Sequence, residues 1–294
     1  MSFASIFRQD LFNNKNIIVT GGGSGIGRCT AHELSALGAH VILVGRKLEK
    51  LEKVQQEIIE DGGSASIQVC DIRDEEGVTA LVSRVVAEKG VIHGLVNNAG
   101  GQFPSPLEHI SKNGFEAVVR TNLIGGFLMA REVFKQSMQE HGGSVVNIIA
   151  DNWGGMPGMG HSGAARAGMD NFTKTAAYEW GRSGVRVNAV APGWVASSGM
   201  NTYDDATKNM LSQLYQHVPL KRMGTESEVS AAICFLLSEA AAFISGSTLR
   251  IDGAASQGNH SWPLPKARNN EPFDGFHRSN PPQWITEKYT HASQ

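Results

Sequence analysis

The sequence contains little cysteine and almost no net charge. Its three cysteines are far apart, odd in number and without the paired spacing of a zinc site, so we expect neither a metal centre nor a disulfide framework. The formal net charge of -2 offers no basic surface for nucleic acid or an anionic membrane. The favoured partner is therefore a small molecule.

Long hydrophobic runs are also missing. No apolar run approaches the roughly 18 residues that span a bilayer. The N-terminal MSFASIFRQDLF lacks the basic start and long apolar stretch of a signal peptide, and the C-terminal THASQ is neither a peroxisomal nor a retention signal. We expect a cytoplasmic protein without a membrane partner.

Apolar, β-branched segments alternate with segments of helical length along most of the chain. Such segments suit strands buried on both faces, and the amphipathic stretches between them suit crossover helices. The pattern predicts the α/β class, with a single Rossmann-type doubly wound parallel sheet of about seven strands and helices on both faces, within residues 1–255. The predicted strands are NIIVT (16–20), HVILVG (40–45), SIQVCD (66–71), GLVNNAG (94–100), SVVNIIA (144–150), VRVNAVAPG (185–193) and TLRIDG (248–253).

Two segments fall outside this alternation. Residues 194–225 begin polar and rich in small residues, which predicts a lid over a ligand in this architecture. Residues 256–294 contain many prolines and asparagines without periodicity, which predicts a tail or an oligomer contact.

A glycine-rich turn follows the first predicted strand and opens a helix. The sequence TGGGSGIG has the spacing GxxxGxG, which lets backbone N–H groups and a helix N-terminus approach a pyrophosphate. Glycine-rich turns alone are weak evidence, but the strand before and the helix after strengthen the interpretation. The residues expected to contact a dinucleotide here are Gly21, Ser24, Gly25, Ile26 and Gly27.

The second strand ends in Gly45-Arg46-Lys47, where an acidic residue would hydrogen-bond an adenosine ribose. A guanidinium can instead hold a 2′-phosphate with two hydrogen bonds, so the sequence favours NADP(H) over NAD(H). Alternatively, Arg46 and Lys47 are ordinary solvated residues that open a helix. Asp71 and Ile72, at the end of the third strand, are expected beside the adenine, although Asp71 could cap the following helix.

The motifs TGGGSGIG, Asp71, NNAG (97–100), Thr121-Asn122 and Pro192-Gly193, in this order, resemble those of the short-chain dehydrogenase/reductase family over residues 12–255. GGQFPSPLEHIS, EHGGSVVNII and HSGAARAG most resemble the trans-2-enoyl-CoA and 2,4-dienoyl-CoA reductases. The resemblance implies a nicotinamide cofactor and a homotetramer. It also implies that Asn98, Ala99 and Gly100 line an adenine and ribose pocket. Asn122 is expected to hold a helix kink and a water, and Pro192 and Gly193 are expected to contact the nicotinamide.

The usual serine, tyrosine and lysine of this family are absent. Aligned on RAGMDNFTK, Arg166 takes the lysine position, Ser162 that of the tyrosine and Ile149 that of the serine. A serine hydroxyl has too high a pKa to replace the phenol, and isoleucine cannot hydrogen-bond a carbonyl. In the dienoyl-CoA relatives a tyrosine stands fifteen residues before the helix lysine, and here Asp151 holds that position. Ordinary ketone reduction is therefore disfavoured.

Reduction of a conjugated C=C bond has no obligatory phenol, since fixed donors can stabilise the enolate while water or a weak acid supplies the proton. The candidate catalytic residues are Asn122, Asp151, His161, Ser162 and Arg166, with Arg166 also expected at the nicotinamide ribose. His161 has a suitable ordinary pKa but could be structural, Asp151 could cap a helix or face solvent, and Ser162 could be a helix N-cap.

Three functions follow as hypotheses. The first is NADP(H)-dependent reduction of the C=C bond of a 2-enoyl-CoA or dienoyl-CoA thioester. The second is an NAD(P)-dependent alcohol or aldehyde dehydrogenase with an apolar, for example terpenoid, substrate. The third is a non-catalytic dinucleotide-binding protein.

Overall fold

Seven parallel strands form one sheet in the order β3-β2-β1-β4-β5-β6-β7. The computed structural model describes residues 2–203, 205–257, 264–266 and 269–285. Every strand pairs in parallel with its neighbours, which confirms the predicted Rossmann-type α/β fold. The strands are β1 (Asn16–Thr20), β2 (His40–Gly45), β3 (Ser64–Val69), β4 (Gly94–Asn97), β5 (Gly143–Ile148), β6 (Val185–Pro192) and β7 (Thr248–Ile251).

Helices cover both faces of the sheet. They are α1 (Gly25–Ala36), α2 (Leu48–Glu60), α3 (Glu75–Lys89), α4 (Lys112–Val119), α5 (Gly125–Val133), α6 (Gln139–His141), α7 (Gly160–Trp180), α8 (Asp205–Leu211) and α9 (Glu226–Leu237). Two π-helical turns, Arg120–Ile124 and Phe134–Met138, connect α4, α5 and α6 into one continuous helical segment. No described helix is long and apolar enough to cross a membrane.

Alternate residues of each strand belong to two different cores. Ile17 and Val19 of β1 pack in the core under α1, α2 and α9, whereas Ile18 packs in the core under α3, α5 and α7. Because side chains of a strand alternate between faces, a strand buried on both sides must be apolar throughout. This explains why the first two strands could be found from the sequence as continuous apolar runs.

The strand order reverses between β1 and β4, and ligands of open α/β sheets bind at the carboxyl ends of the strands beside such a point. β4 ends at Asn97, three residues earlier than its apolar run suggested. The backbone leaves the ladder there because the N–H groups of Asn98 and Ala99 both donate to Thr20 Oγ1, at 3.0 Å. This turn opens the crevice that holds the candidate site.

The lid and the C-terminal extension lie on the same domain in the described residues. Residues 194–225 are called the lid below, and their function as a lid stays a prediction. They contain α8 and two 3-10 turns, Ser198–Thr202 and Leu214–His217. The described part of the extension packs with its own chain, and Phe276 and Ile285 are both almost fully buried. The oligomer contact predicted for this extension stays a prediction.

Candidate active site

The glycine-rich turn between β1 and α1 fits a pyrophosphate closely. Gly21 and Gly25 have positive φ angles of 66° and 58°, a conformation that favours glycine. A Cβ on Gly27 would overlap the Gly21 carbonyl and the Asn98 amide. Ser24 precedes α1 without a side-chain cap bond, so the first N–H groups of this helix stay available to an anion.

Asn98 fixes the shape of this turn from the neighbouring strand. Its Nδ2 donates to the carbonyl oxygens of Thr20, at 2.9 Å, and Gly21, at 3.3 Å. A Cβ on Gly21 would lie 2.8 Å from that same Nδ2 and 2.9 Å from the Ala99 Cα. The shape of the turn is thus fixed by an amide hydrogen bond rather than by side-chain bulk, and its backbone fits the phosphates of a dinucleotide.

A smaller cavity of about 430 Å³ lies where the adenosine end of a dinucleotide would reach, and both Arg46 and Asp71 line it. Arg73 donates to both carboxylate oxygens of Asp71, with Nε–Oδ1 at 2.9 Å, and this pair lowers the pKa of Asp71 to about 2. Asp71 does not cap α3, whose N-cap residue is Asp74. Lys47 is the exposed N-cap residue of α2.

The central cavity, of about 560 Å³, lies beyond the glycine-rich turn and under the lid. Predicted site residues supply part of its lining, namely Ile26, Asn98, Gly100, Asp151, Arg166, Pro192 and Gly193. Met156 and Met159 form part of an apolar wall. The site therefore combines a few polar groups with an apolar surface.

Arg166 places a buried positive charge at the edge of this cavity. Its Nη1 donates to the Ile148 carbonyl at 2.5 Å, and its Nε is buried without a hydrogen-bond partner among the described residues. Burial lowers the pKa of Arg166 to about 10, so the group stays protonated near neutral pH. A Cβ on Gly100 would lie 2.8 Å from Arg166 Nη2, which explains why glycine stands there.

Asn122 lies in the π-helical turn between α4 and α5 and binds the loop that follows β4. Its Oδ1 accepts from the Gly101 N–H at 2.9 Å, and its Nδ2 donates to the Gly101 carbonyl at 3.0 Å. Both polar groups of this buried side chain therefore form hydrogen bonds with the backbone of Gly101. The resemblance implied a helix kink at this residue, and a π-helical turn is present there.

Ser162 and His161 lie one layer behind the cavity rather than on its surface. Ser162 is fully buried and donates its hydroxyl proton to Gln102 Oε1 at 2.7 Å. It is not the N-cap of α7, because this helix begins at Gly160 with Met159 as its cap. His161 is also fully buried, and its Nδ1 accepts the Ser162 N–H at 2.8 Å. Its ring lies nearly perpendicular to the Phe103 ring, with the two ring centroids 4.4 Å apart.

The lining residues that the sequence interpretation did not name as site residues include Gln102, Trp194, Met200 and Tyr203. Gln102 comes two residues after the NNAG turn, at the carboxyl end of β4, and loops at this edge of a sheet carry ligand contacts. That position is the one signal that could have identified it. The other three belong to the lid, where only the fold shows which side chains face inward.

The doubly wound sheet, the glycine-rich turn at the switch point and the adjacent cavity define a dinucleotide-binding protein of the Rossmann class. A family model described as "Enoyl-(Acyl carrier protein) reductase" matches residues 21–256. The chain belongs to the short-chain dehydrogenase/reductase family, whose members are NAD(P)-dependent oxidoreductases.

Similar proteins include two different kinds of oxidoreductase. A probable 2,4-dienoyl-CoA reductase from Bacillus subtilis (strain 168) is 35% identical over 242 residues, which cover 81% of this chain and 95% of that one. A glucose 1-dehydrogenase from Gluconobacter oxydans (strain 621H) is 36% identical over 250 residues, covering 83% and 93%. A solved structure, "citronellol catabolism dehydrogenase (AtuB)" from Pseudomonas aeruginosa PAO1, is 68% identical with a TM-score of 0.79, covering 87% of this chain and 100% of that chain.

Proposed function

We propose that this protein reduces the C=C bond of a 2-enoyl-CoA or dienoyl-CoA thioester with NADPH. The observation that carries the proposal is that Arg166 and Gln102 both line the cavity, while Ser162 and Arg166 stand at the positions aligned with the tyrosine and lysine of the family. Such a cavity offers fixed hydrogen-bond donors without the usual phenol for a carbonyl oxygen. The similarity to a probable 2,4-dienoyl-CoA reductase supports the same assignment.

Negative charge develops on the thioester oxygen when hydride reaches the β-carbon of a conjugated thioester. A bound nicotinamide supplies that hydride. The buried Arg166 guanidinium provides positive charge beside the cavity at no cost in reorganisation. Ser162 occupies Gln102 Oε1, which leaves the Gln102 Nε2 amide protons free to donate toward a substrate oxygen.

The second half of the reaction is delivery of a proton to the α-carbon. Two groups on the cavity wall can carry one, the Asp151 carboxyl and the Tyr203 phenol of the lid. His161 does not line the cavity, and its ring is enclosed by Phe103 and the start of α7. We therefore favour a proton from water or from Tyr203 over one from His161.

Arg46 supports NADP(H) as the cofactor. It lies exposed at the end of β2 and lines the small cavity together with Asp71. Arg73 neutralises Asp71 through three side-chain hydrogen bonds, so a 2′-phosphate near Arg46 meets little net negative charge. Arg46→Ala should weaken NADPH binding about tenfold or more and leave NADH binding unchanged in fluorescence titrations. Equal weakening of both would remove this basis for NADP(H).

Stopped-flow loss of NADPH absorbance tests the reaction itself, with crotonyl-CoA, decadienoyl-CoA and a panel of alcohols and ketones. The proposal requires oxidation of NADPH by the thioesters, and turnover of carbonyl substrates alone would refute it. Gln102→Ala should lower kcat about a hundredfold. Gln56→Ala is the matched control, because Gln56 is on α2 and bonds only Glu60 among the described contacts.

A second candidate is oxidation of an apolar terpenoid alcohol or aldehyde. It is favoured by the 68% identity to a protein described as a citronellol catabolism dehydrogenase. Alcohol oxidation needs a base for the hydroxyl proton, and Asp151 on the cavity wall could serve. Reduction of NADP⁺ by citronellol, without oxidation of NADPH by thioesters, would favour this candidate.

Tight NADP(H) binding without turnover of any substrate would instead indicate a non-catalytic dinucleotide-binding protein. We further propose a homotetramer, on the family resemblance, and the cytoplasmic location stays a prediction from the sequence.

A further inference from the structure

The lid wall of the central cavity is supported from behind by the C-terminal extension. Trp194, Met200 and Tyr203 line the cavity. The same three side chains belong to an apolar cluster centred on Met200, Met223 and Ile285, all less than 8% exposed. Trp284 packs against this cluster, and its Nε1 donates to Asn201 Oδ1 of the lid at 3.3 Å.

We propose that Trp284 and Ile285 are specificity-determining residues, which position the lid wall and so set the length of apolar chain that the cavity accepts. The two ends of the lid are joined to each other by an isolated parallel bridge, Val195 to Gly224. Between those ends its inward side chains have Ile285 as a buried apolar support. Removal of that support lets Met200 and Tyr203 move back, which lengthens the cavity. The inference rests on the proposed function only in taking this cavity as the substrate site.

The extension is anchored firmly just before these two residues. Phe276 is almost fully buried, stacks on Phe3 with ring centroids 5.7 Å apart, and lies under the Arg28 guanidinium at 4.9 Å. Arg278 donates to both carboxylate oxygens of Asp61, at 2.9 and 3.2 Å, from outside α2. The segment is thus fixed on the face formed by α1 and α2.

This anchor restricts where Trp284 and Ile285 can lie. Trp284 stands six positions after Arg278, a span of at most about 22 Å in extended chain. The hydrogen bond from the Ile285 N–H to the Pro282 carbonyl, at 2.9 Å, shortens it further. Loop closure over so short a span costs little entropy, so the contact with the lid is favoured by the anchor.

The experiment compares Ile285→Ala and the milder Ile285→Val with Leu264→Ala. Leu264 is in the same extension but is 42% exposed, which makes its variant a matched control. The first readout needs no substrate: trypsin cleavage at Lys208 and Lys221 of the lid, followed by mass spectrometry. We expect cleavage about tenfold faster in Ile285→Ala and an intermediate rate in Ile285→Val, with NADPH affinity unchanged. Ile285→Val keeps the test valid if Ile285→Ala does not fold.

The second readout is the dependence of KM on chain length, measured with C4 to C16 thioesters. We expect the preference to move toward longer or branched chains in Ile285→Ala, with kcat for the C4 thioester unchanged. A purely structural role would instead lower kcat for all lengths alike. Lid cleavage at the Leu264→Ala rate, or an unchanged chain-length profile, would overturn the inference. If no thioester is turned over, the proposed function fails, and the lid cleavage still decides this inference.

Discussion

Glu226 is a buried carboxyl that the protein should tolerate better in its protonated form. It begins α9, is 7% exposed, and its Oε1 would lie 3.9 Å from a Cβ on Gly25 of the glycine-rich turn. Burial raises the pKa of Glu226 from its ordinary 4.5 to about 7, against the opposing effects of Arg28 and the Ser198 backbone, while Asp274 adds to the rise. Substitution by the neutral isostere, Glu226→Gln, removes this titration.

The magnitude follows from the two pKa values. The folded state binds the proton more tightly than the unfolded state, so stability is present below the unfolded pKa of 4.5 and is lost as pH rises through about 7. The full difference corresponds to about 3 kcal/mol, of which about 2–3 kcal/mol falls between pH 5 and pH 8. The difference in the free energy of unfolding between Glu226→Gln and the parent should therefore be about 2–3 kcal/mol more favourable to the variant at pH 8 than at pH 5.

Urea unfolding of the apoprotein at several pH values, at one fixed protein concentration, measures this difference. His32, whose pKa burial lowers to about 4, acts in the opposite direction. Only the difference between variant and parent therefore isolates Glu226. Glu228→Gln is the control, because Arg222 holds the pKa of Glu228 down despite its burial, and its effect should not vary over this pH range. A variant-to-parent difference that is constant from pH 5 to pH 8 would refute the reasoning.

Further predictions concern the glycine-rich turn, the π-helical turn that contains Asn122, and unfolding in acid. Gly27→Ala places a methyl group onto the Gly21 carbonyl, so NADPH affinity should fall at least a hundredfold in fluorescence titrations, and unchanged affinity would contradict the fit to a pyrophosphate. Asn122→Ala leaves the N–H and C=O of Gly101 without their partner, so urea unfolding should show a loss of about 1–3 kcal/mol, and a smaller loss would argue for replacement by water. Asp71→Asn should unfold at a higher pH than the parent on acidification, because the parent keeps the stabilisation from its ionised Asp71 until the pH falls through about 2. Coincident acid-unfolding curves of the two proteins, measured by circular dichroism, would exclude this.

Local patterns were enough to predict the fold and the family, and they also locate the glycine-rich turn at which a dinucleotide is expected. Ile17, Ile18 and Val19 form a continuous apolar run because β1 is buried on both faces, and such runs are visible in one dimension. The turn from Gly21 to Gly27 is equally local, since its chemistry depends on residues that are neighbours in the chain. Both the Rossmann-type sheet and the family were therefore predicted correctly.

The catalytic end was harder to predict because its contacts join distant parts of the chain. Ser162 could be aligned with the missing tyrosine, but its bond to Gln102, 60 residues away, has no periodic signature. His161 is a residue type that often transfers protons, yet its burial beside Phe103 depends on how α7 packs against the loop after β4. Neither fact follows from residue type.

Strand and helix periods and short motifs were sufficient to predict the α/β class, the family, the glycine-rich turn and the absence of the usual tyrosine and lysine. Folding was needed to show which polar groups face the cavity and that Ile285 packs with Met200 of the lid. The reason is physical: a side chain's direction and burial depend on contacts between elements far apart in the chain, and these are fixed only when the elements pack.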